Sequence, residues 1–147
     1  MKIGFASDHR GYNLKEQLKA ELAKRNYEVE DFGTDSTEST DYPDYAFKLG
    51  EAVVNKEVDF GVAICGSGIG ISIACNKVKG IRCAKVSNSE EAKYTRNDNN
   101  SNIVAFGEQT TLDNALAIVT TFINTPFSTE EKHQRRVNKI ISYEENK

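Results

Sequence analysis

Residues 60–72, FGVAICGSGIGIS, carry an apolar run into Cys65 and from there into Gly66, Ser67, Gly68, Ile69 and Gly70. A thiol at the end of a buried strand, followed by backbone N–H groups opening a helix, suits chemistry on an anion. Such amides favour a thiolate over a thiol and stabilise a developing oxyanion without any charged side chain. Cys65 is therefore a candidate base, and Ser67 with the adjoining amides a candidate oxyanion site. A buried free cysteine beside a tight turn is the plainer alternative. Three glycines within five residues at such a junction are nevertheless costly unless backbone must approach something closely.

Two nucleotide-binding motifs fail at the same place. A phosphate-binding loop requires Lys-Ser/Thr after its last glycine, and Ile71-Ser72 stands there. A dinucleotide fingerprint requires a glycine where Ile71 sits and an acid at the end of the next strand, which instead reads Lys85-Val86-Ser87. Other chemically capable residues are scattered. Asp8-His9 follows the first apolar run, where Asp8 either caps the next helix or faces a ligand. Lys132 and Arg136 stand four apart on one helix face, a spacing that can clamp a phosphate or simply be solvated. Cys75 and Cys83 lie in apolar contexts that suit packing, and Arg96 to Asn102, RNDNNSN, reads as a polar loop.

These groups need a scaffold, and the hydrophobic pattern describes one. Ile3–Ser7, Tyr27–Phe32, Val58–Cys65, Ile81–Val86 and Asn102–Gly107 read as five strands. Between and after them, helical spacing covers the segment with Leu14, Leu18 and Leu22, then Asp44–Asn55, Ile69–Lys77, Glu90–Arg96, Leu112–Ile123 and Thr129–Tyr143. Ser87 or Ser89 is the expected cap of the fourth helix. Strands alternating with helices predict an α/β fold, a Rossmann-like three-layer α/β/α sandwich around a five-stranded parallel sheet. Ligands in such sheets collect at the carboxyl ends of the strands, which here hold Ser7-Asp8-His9, Gly33, Cys65-Gly66-Ser67 and Gly107. The last helix carries its apolar residues late, at Val137, Ile140 and Ile141, as expected of a helix that also packs on a neighbouring subunit.

Composition narrows the function classes. A chain of 147 residues with 38% hydrophobic content suits one domain spanning its whole length. A net charge of −3 argues against nucleic acid and anionic membrane as partners. No apolar run is long enough to span a bilayer and charge appears early in the N-terminus, so a cytoplasmic protein is expected. Three cysteines without a CxxC pair make neither a disulfide framework nor a metal site.

Together, SDHRGYNLK at 7–15, TDYPDYA at 40–46, ICGSGIGISIACNKVKGIR at 64–82, NIVAFG at 102–107 and KHQRRV at 132–137 resemble the type B ribose-5-phosphate isomerases. That family includes the galactose-6-phosphate and allose-6-phosphate isomerases. The resemblance implies interconversion of aldose and ketose sugar phosphates through an enediolate, without metal or organic cofactor. It also implies a homodimer or homotetramer with sites shared between subunits. Carried onto this chain, it makes Cys65 the base and Gly66, Ser67, Gly68, Ile69 and Gly70 the anion hole. Asp8 and Tyr42 line the sugar pocket, Asn99 contacts sugar oxygens, and His9, Lys132 and Arg136 hold the phosphate, Arg136 across the subunit boundary. Three positions depart from the family pattern. Asp98 replaces the ring-opening histidine, Glu108 or Gln109 replaces an arginine after the fifth strand, and Lys132 replaces another. Ribose 5-phosphate is the expected substrate. The alternatives are a six-carbon sugar phosphate, or a catalytically weakened partner subunit that only binds one.

Overall fold

The computed structural model covers residues 1–147. Five strands and six helices follow one another as β1 (Lys2–Ser7), α1 (Tyr12–Lys24), β2 (Glu28–Asp31), α2 (Tyr42–Val54), β3 (Phe60–Cys65), α3 (Ile69–Cys75), β4 (Cys83–Lys85), α4 (Ser89–Asn99), β5 (Ile103–Gly107), α5 (Leu112–Asn124) and α6 (Glu131–Glu145). All strand pairings are parallel, in the order β2-β1-β3-β5-β4. The expected three-layer α/β sandwich is therefore present.

Alternation along the strands divides the core into two layers. Ile3, Phe5, Val62, Ile64, Val104 and Phe106 pack with α1, α4 and α5. Ala6, Ala63, Cys65, Ile103 and Ala105 face α2 and α3. The second face is built mainly of small side chains, so its helices lie close to the sheet. A Cβ on Gly4 would stand 2.8 Å from Leu49 Cδ1.

Three features differ from the sequence pattern: the cap and the end of α4, and the start of α6. The cap of α4 is Asn88, whose side chain accepts from Glu91 N–H at 2.9 Å, while the Glu91 carboxylate reaches back to Ser87 N–H at 2.6 Å. The helix then runs to Asn99, through residues read as loop, and closes at Asn100 with a positive φ of 49°. Arg96 explains the extension. Its guanidinium lies over the Phe60 and Phe122 rings at 4.9 and 5.8 Å and donates to Thr125 O, Ser101 O and Asn100 Oδ1. These tertiary contacts override the weak helix preference of Asn and Asp. At the other end of the chain, α6 begins at Glu131 rather than Thr129. Only Val137 of this helix is buried, and Ile140 and Tyr143 are exposed. No helix is long and apolar enough to cross a membrane.

Lys15 ties the edge of the sheet to the loop beyond it. Its side chain is fully buried, and Nζ donates to Asp31 Oδ2 at 2.5 Å, Thr34 O at 2.8 Å and Glu16 Oε2 at 3.2 Å. Burial opposes ionisation of Asp31, but hydrogen bonds from Lys15, Lys19 and Gly33 N–H outweigh it and hold the carboxyl below its ordinary 3.8. A depressed carboxyl contributes its full stability above the unfolded value and loses it as pH falls through the folded one. Asp31→Asn is expected to destabilise the fold by about 2 kcal/mol, less than for a fully buried pair because Glu16 and Thr34 O remain. Urea unfolding from about pH 7 to about pH 3 should show the wild type losing this increment below about pH 4 and the variant lacking that loss. Equal stability of the two proteins at neutral pH would contradict the role assigned to the pair.

Candidate active site

Strand order reverses between β1 and β3. The segments that leave them diverge, α1 to one face of the sheet and α3 to the other, and a crevice opens between. A cavity of about 400 Å³ occupies it, lined by Asp8, Arg10, Tyr42, Cys65, Gly66, Ser67, Ile69 and Gly70. Asp8 and Tyr42 also line an adjoining cavity of about 530 Å³, which adds His9 and Thr40.

Cys65 ends β3 with its side chain almost wholly buried. Gly68 N–H donates to its Sγ at 3.2 Å, a bond that strengthens when sulfur carries charge. Gly68 itself has φ +81°, and a Cβ there would stand 2.6 Å from the Phe106 carbonyl carbon. The turn thus requires glycine for both conformation and space. Ser67 is exposed and its Oγ accepts from Ile69 N–H at 3.1 Å. The N–H groups of Ser67 and Gly70 make no hydrogen bond within the chain, which leaves them available to an anion. The Tyr42 ring lies against Gly70, where a Cβ would stand 2.6 Å from Cζ.

Asp8 does not cap α1, which opens on Gly11 without a side-chain cap, but it holds the turn before that helix. Its Oδ1 accepts from Arg10 and Gly11 N–H at 3.0 and 3.1 Å, fixing the turn into α1, and the residue also lines the cavity. His9 Nδ1 accepts from Thr40 N–H at 3.2 Å, tying the loop before α2 to the site. Cys75 and Cys83 stand apart from this chemistry. The Cys75 thiol and burial both push the Cys83 thiol well up, which suits packing rather than nucleophilic work.

Arg10 was not singled out from the sequence, although it follows Asp8-His9 at a strand end, and position alone could have flagged it. Its Nε lies 2.5 Å from Glu108 Oε2 at the cavity mouth. Of the two residues that could stand for the lost arginine, Glu108 is therefore the one facing the site. Gln109 lines a separate cavity with Lys85 and Ser87.

Four expected site residues are not brought to this cavity by their own chain. Arg82, immediately before β4, donates to Asn99 O at 3.0 Å and to Asn100 O at 2.9 Å. Asp98 and Asn99 thus lie toward the amino ends of the strands, on the order of 15 Å of strand rise from Cys65. Lys132 and Arg136 are exposed on α6 beside them, without hydrogen bond or ion pair. His133 joins this group, with Nε2 3.6 Å from Asp98 Oδ1; it too escaped the sequence reading, inside a motif read only for its basic residues.

Residues 3–140 match the Ribose/Galactose Isomerase family. The chain belongs to that family. Within the family, its resemblance is to the type B ribose-5-phosphate isomerases. It is 43% identical to ribose-5-phosphate isomerase B of Escherichia coli, over 98% of this chain and 97% of that protein. The solved ribose-5-phosphate isomerase B of Clostridium thermocellum superposes with a TM-score of 0.95 at 51% identity, covering 99% of both chains. The Mycoplasma genitalium enzyme, solved with bound ribulose-5-phosphate, superposes at 0.92 with 36% identity, covering 99% of this chain and 97% of that one.

Proposed function

We propose that the chain interconverts ribose 5-phosphate and ribulose 5-phosphate through an enediolate, with Cys65 as base. The observation that carries this is Cys65 Sγ, held by Gly68 N–H at the floor of a crevice beside unpartnered amides. In the open-chain aldose, Cys65 takes the proton from C2. The C–H electron pair becomes the C1–C2 double bond, and negative charge gathers on the C1 oxygen. The Ser67 hydroxyl and the free N–H groups of Ser67 and Gly70 meet that charge where it develops. The same sulfur returns the proton to C1, the C2 hydroxyl passes its proton to the C1 oxygen, and the freed O–H pair forms the C2 carbonyl of the ketose.

Asp8 and Tyr42 line the sugar, and His9 meets the phosphate. Asp98, Asn99, Lys132 and Arg136 complete the site of a second copy of the chain, which accounts for their distance from their own Cys65. A homodimer is the smallest assembly that satisfies this. A six-carbon sugar phosphate is the second reading, supported by Glu108, which occupies Arg10 and alters the cavity mouth.

Purified protein assayed on ribose 5-phosphate, allose 6-phosphate and galactose 6-phosphate tests the proposal. Ribose 5-phosphate should give the highest kcat/KM, by about 10-fold or more, the discrimination expected for about one carbon's difference. A higher value on either six-carbon sugar transfers the assignment to it. No turnover of any would leave a sugar-phosphate-binding subunit.

A further inference from the structure

This chain has no histidine immediately before Asn99, yet one reaches the same place from the next helix. His133 on α6 has Nε2 3.6 Å from Asp98 Oδ1 and 3.4 Å from Glu130 Oε2, with its side chain only 14% exposed. We propose that His133 is the acid that opens the sugar ring and that Asp98 is the residue positioning it, a role that rests on the isomerase reading above.

Asp98 acts in this arrangement as an acceptor. It takes a hydrogen bond from Asn97 Nδ2 at 2.7 Å and faces the imidazole with the same oxygen. Two carboxylates approaching Nε2 attract a hydrogen to that nitrogen and orient the ring toward them. Nδ1 makes no hydrogen bond in the chain and is the nitrogen left for a substrate. His133 also has suitable neighbours. Lys132 precedes it, Arg136 lies one turn on, and Asn99 follows Asp98, so the imidazole belongs to the cluster assigned to the second copy's site.

The protonated imidazole gives its Nδ1 hydrogen to the ring oxygen while the bond from that oxygen to C1 breaks, its electron pair staying on oxygen. The C1 hydroxyl loses its proton to water, and the freed O–H pair forms the C1 carbonyl. The imidazole is left neutral and the aldehyde is ready for Cys65.

Ribulose 5-phosphate separates this step from proton transfer, because its C5 oxygen carries the phosphate and it has no five-membered ring to open. Two readouts on the full chain therefore suffice: turnover of ribose 5-phosphate, and exchange of deuterium from solvent into C1 of ribulose 5-phosphate. His133→Asn should lower the first by about 10²-fold or more, the usual contribution of a positioned acid, and lower the second by less than about 5-fold. Asp98→Asn should show the same selectivity with a smaller loss. Asp98→His placed in the His133→Asn background should restore much of the turnover. Unchanged turnover in His133→Asn, or equal loss of both readouts, overturns the assignment and leaves the isomerase reading standing. A wild type that neither turns over nor exchanges overturns both.

Discussion

Cys65→Ala is expected to lower turnover by about 10²–10⁴-fold, the range of a general base, and to abolish deuterium exchange into C1 of ribulose 5-phosphate as well. Both readouts should fall, because the proposed mechanism uses the same sulfur in both directions of proton transfer. The pattern differs from that of a ring-opening residue, whose loss spares exchange. Cys65→Ser makes the argument sharper. The hydroxyl nearly preserves the volume of a side chain that is 4% exposed, so packing changes little, yet a serine oxygen without a neighbouring base is a poor proton acceptor. Serine should thus be nearly as inactive as alanine while its thermal unfolding stays close to that of the wild type. Full exchange in either variant would remove Cys65 from the mechanism.

Gly68→Ala should damage fold and chemistry together. An L-residue at φ +81° costs about 1–2 kcal/mol in backbone strain. The new methyl would also meet the Phe106 carbonyl carbon at 2.6 Å and its Cα at 2.8 Å. Those atoms belong to β5, whose residues are all buried and paired with β3, so the loop must yield rather than the strand. Overpacking of this kind adds about 1–3 kcal/mol. The yielding segment includes the N–H that holds Cys65 Sγ, and a shift near 1 Å at such a donor can cost about 10²-fold in rate. The measurements are thermal unfolding and kcat on one preparation. A wild-type melting temperature together with wild-type kcat would show that the turn is not held by β5.

The elements that the sequence disclosed were those governed by local pattern. Leu14, Leu18 and Leu22 announce α1, and the alternation Val62-Ala63-Ile64-Cys65 announces β3 with both faces covered. The end of α4 was hidden because it depends on Arg96 stacking on rings from β3 and α5, contacts that no local window contains. The site divides along similar lines. Asp8, Cys65 and the glycines meet at one crevice because each lies at or just past the carboxyl end of a strand, a position readable from the order of elements, and Tyr42 joins them from the start of α2. Arg10 became visible only through its pairing with Glu108, and His133 only through its approach to Asp98. Both depend on distances between segments remote in sequence. The placement of Asp98 and Asn99 away from Cys65 likewise follows from the direction of α4, which turns back toward the amino ends of the strands.

That separation makes the molecule modular. The loop after β3 and the junction of α4 with α6 share no strand end, so a change in one leaves the backbone of the other undisturbed. The cysteine turn, wedged against β5, has no room to shift, whereas the exposed Lys132 and Arg136 can be replaced without repacking the core.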